Sequence, residues 1–374
     1  MEKLYLEEIA TAVNGKTIFG NGEVYSDSVV IDSRKVTPNS LFIGIAGENV
    51  DGNDYMLNAF ERGASIALVE KDEDIIATGS KGLIRVESTK DALVDLAKYY
   101  KQRLRAKCIV VTGSTGKTTV KDMLHGMLST KYKVFKTRGN YNNELGLPLM
   151  LLSMDSSFDM AVLEMGMSSI GEIHFLSEIV RQDAALITNI GVSHIELLKT
   201  RENILKAKME VADFFNEGNT LFLNADDGYL KTVGIKDYRI IRAGIDSGEY
   251  QAVNIRLDRN GIEFDVIRLG EAMGRIKLNA PGIHNVRNAI LAFACANEYG
   301  VAIDALKDLR FERTAMRLEE YKFDNITVIN DAYNASPDSM KAGLDTLKVI
   351  PGRKVALVGD MKELGELSFE SHKE

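Results

Sequence analysis

Cysteine, excess positive charge and long apolar runs are all scarce in this chain of 374 residues. Only two cysteines occur, Cys108 and Cys295. Their spacing fits no metal or redox motif, and both lie in apolar runs, so they read as buried free thiols of a reducing compartment. Lys and Arg number 46 against 54 Asp and Glu, a net charge of −8. With no long basic run, this argues against nucleic acid or an anionic membrane as the main partner. No apolar run approaches the length of a membrane span. The opening residues, Met1-Glu-Lys-Leu-Tyr-Leu-Glu-Glu8, carry charge where a signal peptide needs apolar side chains. A cytoplasmic location is therefore expected. What the chain does have is 45% hydrophobic and 27% charged residues, enough for full cores, and a length that allows two or three domains.

The stretch that organises the rest is Cys108-Ile-Val-Val-Thr-Gly-Ser-Thr-Gly-Lys-Thr-Thr119. A short apolar run ends in two glycines, a lysine and two threonines. Val120, Met123, Leu124, Met127 and Leu128 then recur at helical spacing. Strand, glycine loop and helix form the context of a phosphate-binding loop, in which backbone N–H groups and a helix N-terminus converge on an anion. Gly113 and Gly116 let the backbone approach, Ser114, Thr115 and Thr119 complete the loop, Lys117 would reach the β- and γ-phosphates, and Thr118 would ligate Mg²⁺. The usual first glycine is replaced by Val111, so the motif is a shorter T-G-x-x-G-K-T form. The bland alternative is a strand–turn–helix corner with a surface lysine.

Residues 1–105 read as a small α/β unit with strands at Leu41–Ile45 and Ile66–Val69 and a closing helix after Thr89, its stripe formed by Ala92, Leu93, Leu96, Ala97, Tyr100 and Leu104. Ser33, Arg34, Gly47 and Asp54 follow buried strands, where α/β sheets bind ligands; ordinary turn chemistry is the alternative. Residues 106–313 alternate strand and helix, the pattern of a mainly parallel sheet. Within them lies an asparagine-dense loop, Lys136 to Pro148, with Asn142 and Asn143 and a Pro-started helix after it. Strand Met160–Glu164 ends in a carboxylate, and strand Ala184–Ile190 is followed by His194. Glu164 and His194 leave one sheet edge if the strands are parallel, and could share one or two Mg²⁺ sites.

In the helix after Thr200, Ile204, Lys208, Val211 and Phe215 share one face. Lys208 thus stands in an apolar stripe. It either snorkels outward or is held by a partner, in which case burial leaves a nucleophilic amine that can take up CO₂ as a carbamate. Asp258-Arg-Asn-Gly261 reads as a hairpin turn. Pro281-Gly-Ile-His-Asn-Val-Arg-Asn288 opens an alanine-rich helix whose first turn, with His284, Asn285 and Asn288, either reads a ligand or caps the helix. Residues 314–374, from Ala315-Met-Arg-Leu-Glu319 onward, begin another α/β domain. Its two clear strands, Thr327–Ile329 and Val355–Val358, are too few to bury a sheet, so the chain is expected to be truncated.

Together these motifs resemble the Mur ligase family of ATP-dependent amide-forming enzymes in bacterial cell-wall synthesis. The stretches that carry the resemblance are Thr112–Thr118, Glu164-Met-Gly166, His194-Ile-Glu196 with Lys206-Ala-Lys208, and Gly282–Asn288, joined by Gly139–Pro148, Asp331–Pro337 and Gly359–Gly365. The resemblance implies an α/β, three-domain architecture: a small N-terminal α/β domain at 1–105 for the UDP end of the substrate, a central phosphate-loop parallel-sheet domain at 106–313 for ATP, and a partial Rossmann-like ligase domain at 314–374. It implies ATP and Mg²⁺, with UDP-N-acetylmuramoyl-tripeptide and D-alanyl-D-alanine as substrates. It further implies a monomer with no nucleic-acid partner and no membrane insertion. Carried over residue by residue, Lys117, Lys208, His194 and Arg317 would be catalytic. Thr118, Glu164, His194 and carbamylated Lys208 would hold metal. Asn285 and Asn288 would lie against adenine, Arg317 at the γ-phosphate and Asp331 at the ribose. Ser33, Arg34, Gly47 and Asp54 would hold the UDP end, and Asn142 and Asn143 the sugar-peptide. Two departures stand out: the loop His194–Thr200 lacks the glycine that often follows this histidine, and the third domain breaks off early. A sister ligase adding the third amino acid, and a nucleotide-binding module without catalysis, are the alternatives.

Overall fold

The computed structural model describes residues 1–71, 81–258, 261–307, 309, 317 and 319–374. They form two compact units, Met1–Ala106 with Thr137–Asp159, and Lys107–Lys136 with Met160–Glu374.

In the first unit, strands Ser28–Val30, Ser40–Ile43, Ile66–Val69 and Gly82–Arg85 are parallel neighbours, and Lys16–Phe19 adds an antiparallel edge. Leu41 to Ile43 and Ile66 to Val69 are buried without interruption. Such unbroken apolar runs belong to parallel strands covered on both faces. Helix Thr89–Arg103 starts where the Ser88 side chain accepts from the Asp91 N–H, and its expected stripe is buried. The Tyr100 hydroxyl donates to the Met154 carbonyl at 2.7 Å, which ties residues 137–159 into this unit.

The second unit is built on a nine-stranded sheet. In spatial order the strands are Glu271–Leu278, Gly261–Arg268, Tyr250–Asp258, Arg239–Gly244, Thr220–Asn224, Ala184–Ile187, Lys107–Thr112, Met160–Glu164 and Val134–Lys136. Pairing is parallel from Val134–Lys136 across to Tyr250–Asp258, and antiparallel in the last two ladders. The hairpin expected around Asp258–Gly261 is present as a strand pair, while its turn residues 259 and 260 lie outside the described residues. Helix Ile283–Glu298 is buried on nearly every side, as a helix apolar all round must be. With the phosphate-loop helix Lys117–Leu128 it joins a continuous core that includes Ile109, Val162, Leu186, Phe222, Phe264 and Phe293.

Three local expectations need correction. Strand Ala184–Ile187 stops before Thr188, and residues 188–190 run on as loop. The helix near Pro148 begins at Gly146, so proline sits at its third position. Val355–Val358 forms no strand: Val355, Leu357 and Val358 are 68%, 97% and 64% exposed. A strand needs a neighbour to complete its ladder, and the described residues offer none beside this segment. Ile326–Asn330 instead pairs antiparallel with Glu319–Phe323. Residues Ala315, Met316 and Leu318 and the 313/314 boundary lie outside the described residues.

Phe222 is fully buried at the middle of the large sheet. Phe222→Ala should cost about 3–5 kcal/mol, read as a lowered guanidinium midpoint for the second unit. A loss of a few tenths would contradict the central core described.

Candidate active site

Lys107–Thr112 lies between Met160–Glu164 and Ala184–Ile187. The chain leaves it for the far edge strand Val134–Lys136, returns to Met160–Glu164, then crosses to Ala184–Ile187. Loops after Lys107–Thr112 and Ala184–Ile187 therefore depart in opposite directions, and the crevice at such a switch point is where open α/β sheets bind ligands.

The phosphate loop is fixed from the Ala184–Ile187 side. The Ser114 and Thr115 N–H groups donate to the Asn189 carbonyl (3.1 Å) and Oδ1 (3.0 Å). Thr188 Oγ1 donates to the Thr115 carbonyl, and the Gly191 N–H donates to Ser114 Oγ at 2.9 Å. Two glycines make this approach feasible. Gly113 has φ +148° and an added Cβ would lie 1.8 Å from Thr188 Oγ1; Gly116 has φ +78° and its Cβ would lie 2.9 Å from Asn288 Oδ1. Gly116 also begins helix Lys117–Leu128 without a capping side chain, so the first-turn N–H groups remain available to an anion.

Lys117 folds back on this loop, its Nζ donating to the Gly113 carbonyl at 2.9 Å and that of Ser114 at 3.3 Å. Burial lowers its pKa; Glu164 opposes the shift and the Arg317 charge adds to it. Glu164 ends its strand beside Val111. Its Oε2 accepts from Thr118 Oγ1 at 2.9 Å and lies 3.9 Å from Lys121 Nζ. Thr118 and Glu164 are both buried. A hydroxyl and a carboxylate so placed are hard oxygen donors of the kind Mg²⁺ takes beside phosphates, so these residues fit that ion. No cluster of three or more His, Cys, Asp or Glu suited to a metal occurs among the described residues, so phosphate oxygens and water would complete the shell.

Lys208, in helix Arg201–Met209, is 2% exposed. Snorkelling is thereby excluded. Burial drives its pKa well below 10.5, and the Lys117 charge pushes the same way. His194 stands at φ +60° before the short helix Ile195–Leu198. Its Nδ1 lies 2.6 Å from Glu363 Oε2 but off the line of a hydrogen bond, so that nitrogen has no hydrogen-bond partner. Burial lowers the ring's pKa, Glu363 raises it, and Lys117 and Lys208 lower it further.

A cleft of about 410 Å³ runs from the loop, lined by Thr115, Asn189, His284, Asn285, Asn288, Arg317 and Asp331 among others. The asparagines are locked: Asn285 Nδ2 donates to the Pro281 carbonyl at 2.7 Å and Asn288 Nδ2 to Asn285 Oδ1 at 3.3 Å. Neither caps the helix, which starts at Gly282 without a side-chain cap. The Arg317 guanidinium stacks 4.3 Å above the Tyr333 ring, with Nε buried and unbonded.

The remaining expected residues belong to the first unit. Ser33 is buried, and Arg34 is exposed with its guanidinium and N–H on Asp32, whose carboxyl they draw down to about 2. The Gly47 N–H donates to the Val50 carbonyl, and Asp54 is exposed in the turn Gly52–Tyr55. Asn143 Oδ1 accepts from the Gly146 N–H at 2.9 Å, a turn role, and the Asn142 N–H donates to the Asn140 carbonyl.

Sequence reasoning missed several residues. Thr188 and Asn189 hold the loop, and a polar pair directly after an apolar strand is the signal that could have found them. Asp226, its side chain 4% exposed, accepts from the Ile245 and Asp246 N–H groups and pairs with Arg287 at 3.0 Å on the cleft wall. Lys121 is buried beside Glu164 and Asp122, one position off the helix's apolar stripe.

The chain is similar to known proteins along most of its length. Residues 27–101 match the Mur ligase family catalytic domain, 111–296 the Mur ligase middle domain, and 316–374 the Mur ligase glutamate ligase domain. The UDP-N-acetylmuramoyl-tripeptide–D-alanyl-D-alanine ligase of Bacillus subtilis is 40% identical over 351 residues, 92% of this chain and 76% of that protein. Its namesake in Escherichia coli is 31% identical over 379 residues, 100% and 82% of the two chains. A crystal structure of MurF from Acinetobacter baumannii superposes with TM-score 0.89 at 29% identity, covering 100% of this chain and 82% of that one. MurF ligase from Thermotoga maritima in complex with ADP gives 0.82 at 30%, covering 92% and 80%.

Two outcomes follow from the geometry. Gly113→Ala forces a Cβ onto Thr188, a strain of about 1–3 kcal/mol, and should weaken binding of a fluorescent ATP analogue by roughly tenfold or more; unchanged affinity would contradict the close approach. For Lys208, the unfolded chain binds more protons than the native one between the lowered pKa and 10.5. Stability from this residue therefore rises with pH across that window. Lys208→Met should be more stable than the parent at pH 7, with the gap narrowing towards pH 10; a pH-independent gap in unfolding free energy would refute the burial of an ionisable amine here.

Proposed function

The chain belongs to the Mur ligase family, and we propose that it is the ATP-dependent, ADP-forming ligase that joins D-alanyl-D-alanine to UDP-N-acetylmuramoyl-tripeptide in peptidoglycan precursor synthesis. The observation that carries this reading is the wiring of the phosphate loop. Thr118 is bonded to the strand-end carboxylate Glu164, and Lys208 is buried within electrostatic reach of Lys117. In this reading residues 1–105 take the UDP end through Ser33, Arg34, Gly47 and Asp54, 106–313 take ATP, and 314–374 form the ligase domain. Asn142 and Asn143 meet the sugar-peptide. The protein is a cytoplasmic monomer; no helix among the described residues is long and apolar enough to cross a membrane.

The chemistry is an acyl activation. A carboxylate oxygen of the tripeptide attacks the γ-phosphorus of ATP, the bond to the β-bridging oxygen breaks, and ADP leaves an acyl phosphate. The amine of D-alanyl-D-alanine then attacks the acyl carbon, the C–O bond to phosphate breaks, and the amine gives up a proton. Thr118, Glu164 and His194 would hold Mg²⁺, which supplies charge neutralisation on the phosphates when bound. Lys117 releases its own loop's carbonyls to engage the β- and γ-oxygens, and Arg317 meets the charge that develops on the transferring group. Asn285 and Asn288 lie against the adenine and Asp331 against the ribose. The Lys208 amine, whose proton burial makes easier to lose, adds to CO₂: an N–C bond forms, a proton leaves to solvent, and the carbamate becomes an anionic oxygen ligand near Lys117.

The test is phosphate release from ATP by this chain with UDP-N-acetylmuramoyl-tripeptide, with and without D-alanyl-D-alanine. Release that needs both supports the assignment, and Lys208→Ala should then lower turnover by roughly 100-fold or more. Release driven by a different amine moves the chain to a sister ligase. Nucleotide binding without release under any amine makes it a binding module.

A further inference from the structure

The segment Gly359–Gly365 reaches the histidine loop. Its two apolar residues, Met361 and Leu364, are 7% and 3% exposed and anchor it. The Met361 N–H donates to His372 Nε2 at 3.0 Å, while His372 Nδ1 faces the Ser368 carbonyl at 2.7 Å. Between those anchors, the Glu363 carbonyl accepts from the Glu196 N–H at 3.1 Å. Gly365, at φ +53°, comes so near that an added Cβ would lie 3.2 Å from Glu196 Cα. Glu363 itself is held at φ +63°. The outcome of this docking is the 2.6 Å approach of the Glu363 carboxylate to His194 Nδ1.

We propose that Glu363 is a positioning residue for His194. A carboxylate beside one ring nitrogen holds the proton on that nitrogen and leaves the lone pair on the other. A small rotation of the ring brings the Nδ1–H into line with Glu363 Oε2, and Nε2 is then the nitrogen left to accept or to ligate. The residues after 314 thereby set the tautomer and the aim of an imidazole that belongs to the central sheet. In the His194 role proposed above, on which this inference rests, the cation site is complete only while Gly359–Gly365 is docked. Oxygen ligands from Thr118 and Glu164 exist without it.

The experiment compares the 374-residue parent chain with Glu363→Gln and Glu363→Ala. The side chain is half exposed, so both variants should fold, and the unchanged backbone bond from Glu196 should keep the segment docked; thermal unfolding checks this. With ¹⁵N-labelled histidine at pH 8 and no nucleotide, His194 should show a protonated Nδ1 and a bare Nε2 in the parent. Glu363→Gln keeps an acceptor and should keep that pattern, whereas Glu363→Ala should give a mixture of tautomers. An unchanged pattern in Glu363→Ala overturns the proposal. In parallel, Mn²⁺ titrated by electron paramagnetic resonance with a non-hydrolysable ATP analogue should bind about 10–100-fold more weakly to Glu363→Ala, and Glu363→Gln should recover most of the loss. A tautomer change with no effect on Mn²⁺ would leave the positioning intact and overturn the assignment of His194 to the cation.

Discussion

The Lys208 ammonium, buried within the field of the neighbouring Lys117 charge, is the constraint on which this site depends. Burial lowers the pKa of both; the Lys117 charge pushes that of Lys208 down further, and the Arg317 charge does the same to Lys117. Glu164 counters the effect at Lys117 but is not among the causes acting on Lys208. Desolvating like charges together costs several kcal/mol unless an anion or deprotonation intervenes. Lys117 is partly satisfied by the Gly113 and Ser114 carbonyls, a neutral substitute for phosphate oxygens. Lys208 has no such bond among the described residues. The arrangement is therefore destabilised in its protonated form, and polyphosphate or a carbamate relieves it. The cost is carried by the wholly apolar core beneath, where Ile109, Val111, Leu186 and Phe222 are fully buried.

Rigidity around that pair comes from backbone contact. Gly113 and Gly116 press the loop against Thr188 and Asn288, so the helix Ile283–Glu298 and the strand Ala184–Ile187 both fix where the phosphate loop lies. The same contacts bring the Asn285–Asn288 pair to the cleft wall. A side chain at either glycine would separate elements that the sheet order brings together, which is why a site spread over four sequence stretches closes into one crevice.

Much of this was legible in the sequence because it is local. The phosphate loop announces itself by an apolar run, glycines and a helical stripe within 21 residues of Cys108, and Glu164 by standing at the end of a five-residue apolar strand. Lys208 was flagged by helical spacing, but spacing alone left burial and snorkelling open. Only the packing of the helix Arg201–Met209 decides between them. Thr188 and Asn189 were missed because their partners lie some 74 residues away along the chain. Val355–Val358 looks like a strand because β-propensity measures fit to a pleated, half-buried surface, and the described residues offer no such surface beside it. The turn-forming reading of Asn143 and the ligand reading both began from the same residue type; the Gly146 N–H shows that its side chain does serve the turn.

Backbone strain gathers at the same place. Among the described residues nine non-glycine positions have positive φ, and four of them are Asn or Asp, which tolerate it. His194 at +60°, Lys199 at +69° and Glu363 at +63° are different: two bracket the short helix Ile195–Leu198, and the third touches it. Each such residue costs on the order of 1–3 kcal/mol and persists only where its surroundings over-determine it. Here the surroundings are identifiable. Ile195, Leu198, Met361 and Leu364 are all buried, and the Glu196 N–H joins the two segments at the Glu363 carbonyl. Glycine at 199 would remove the strain locally, and its absence means that the His194 loop has fewer conformations open to it. The loop that carries the imidazole is thus stiffened from both ends, with Glu363 set against its first residue. Local rules are broken together where a side chain must be aimed, and the central strands Lys107–Thr112, Met160–Glu164 and Ala184–Ile187 that support it carry no positive φ.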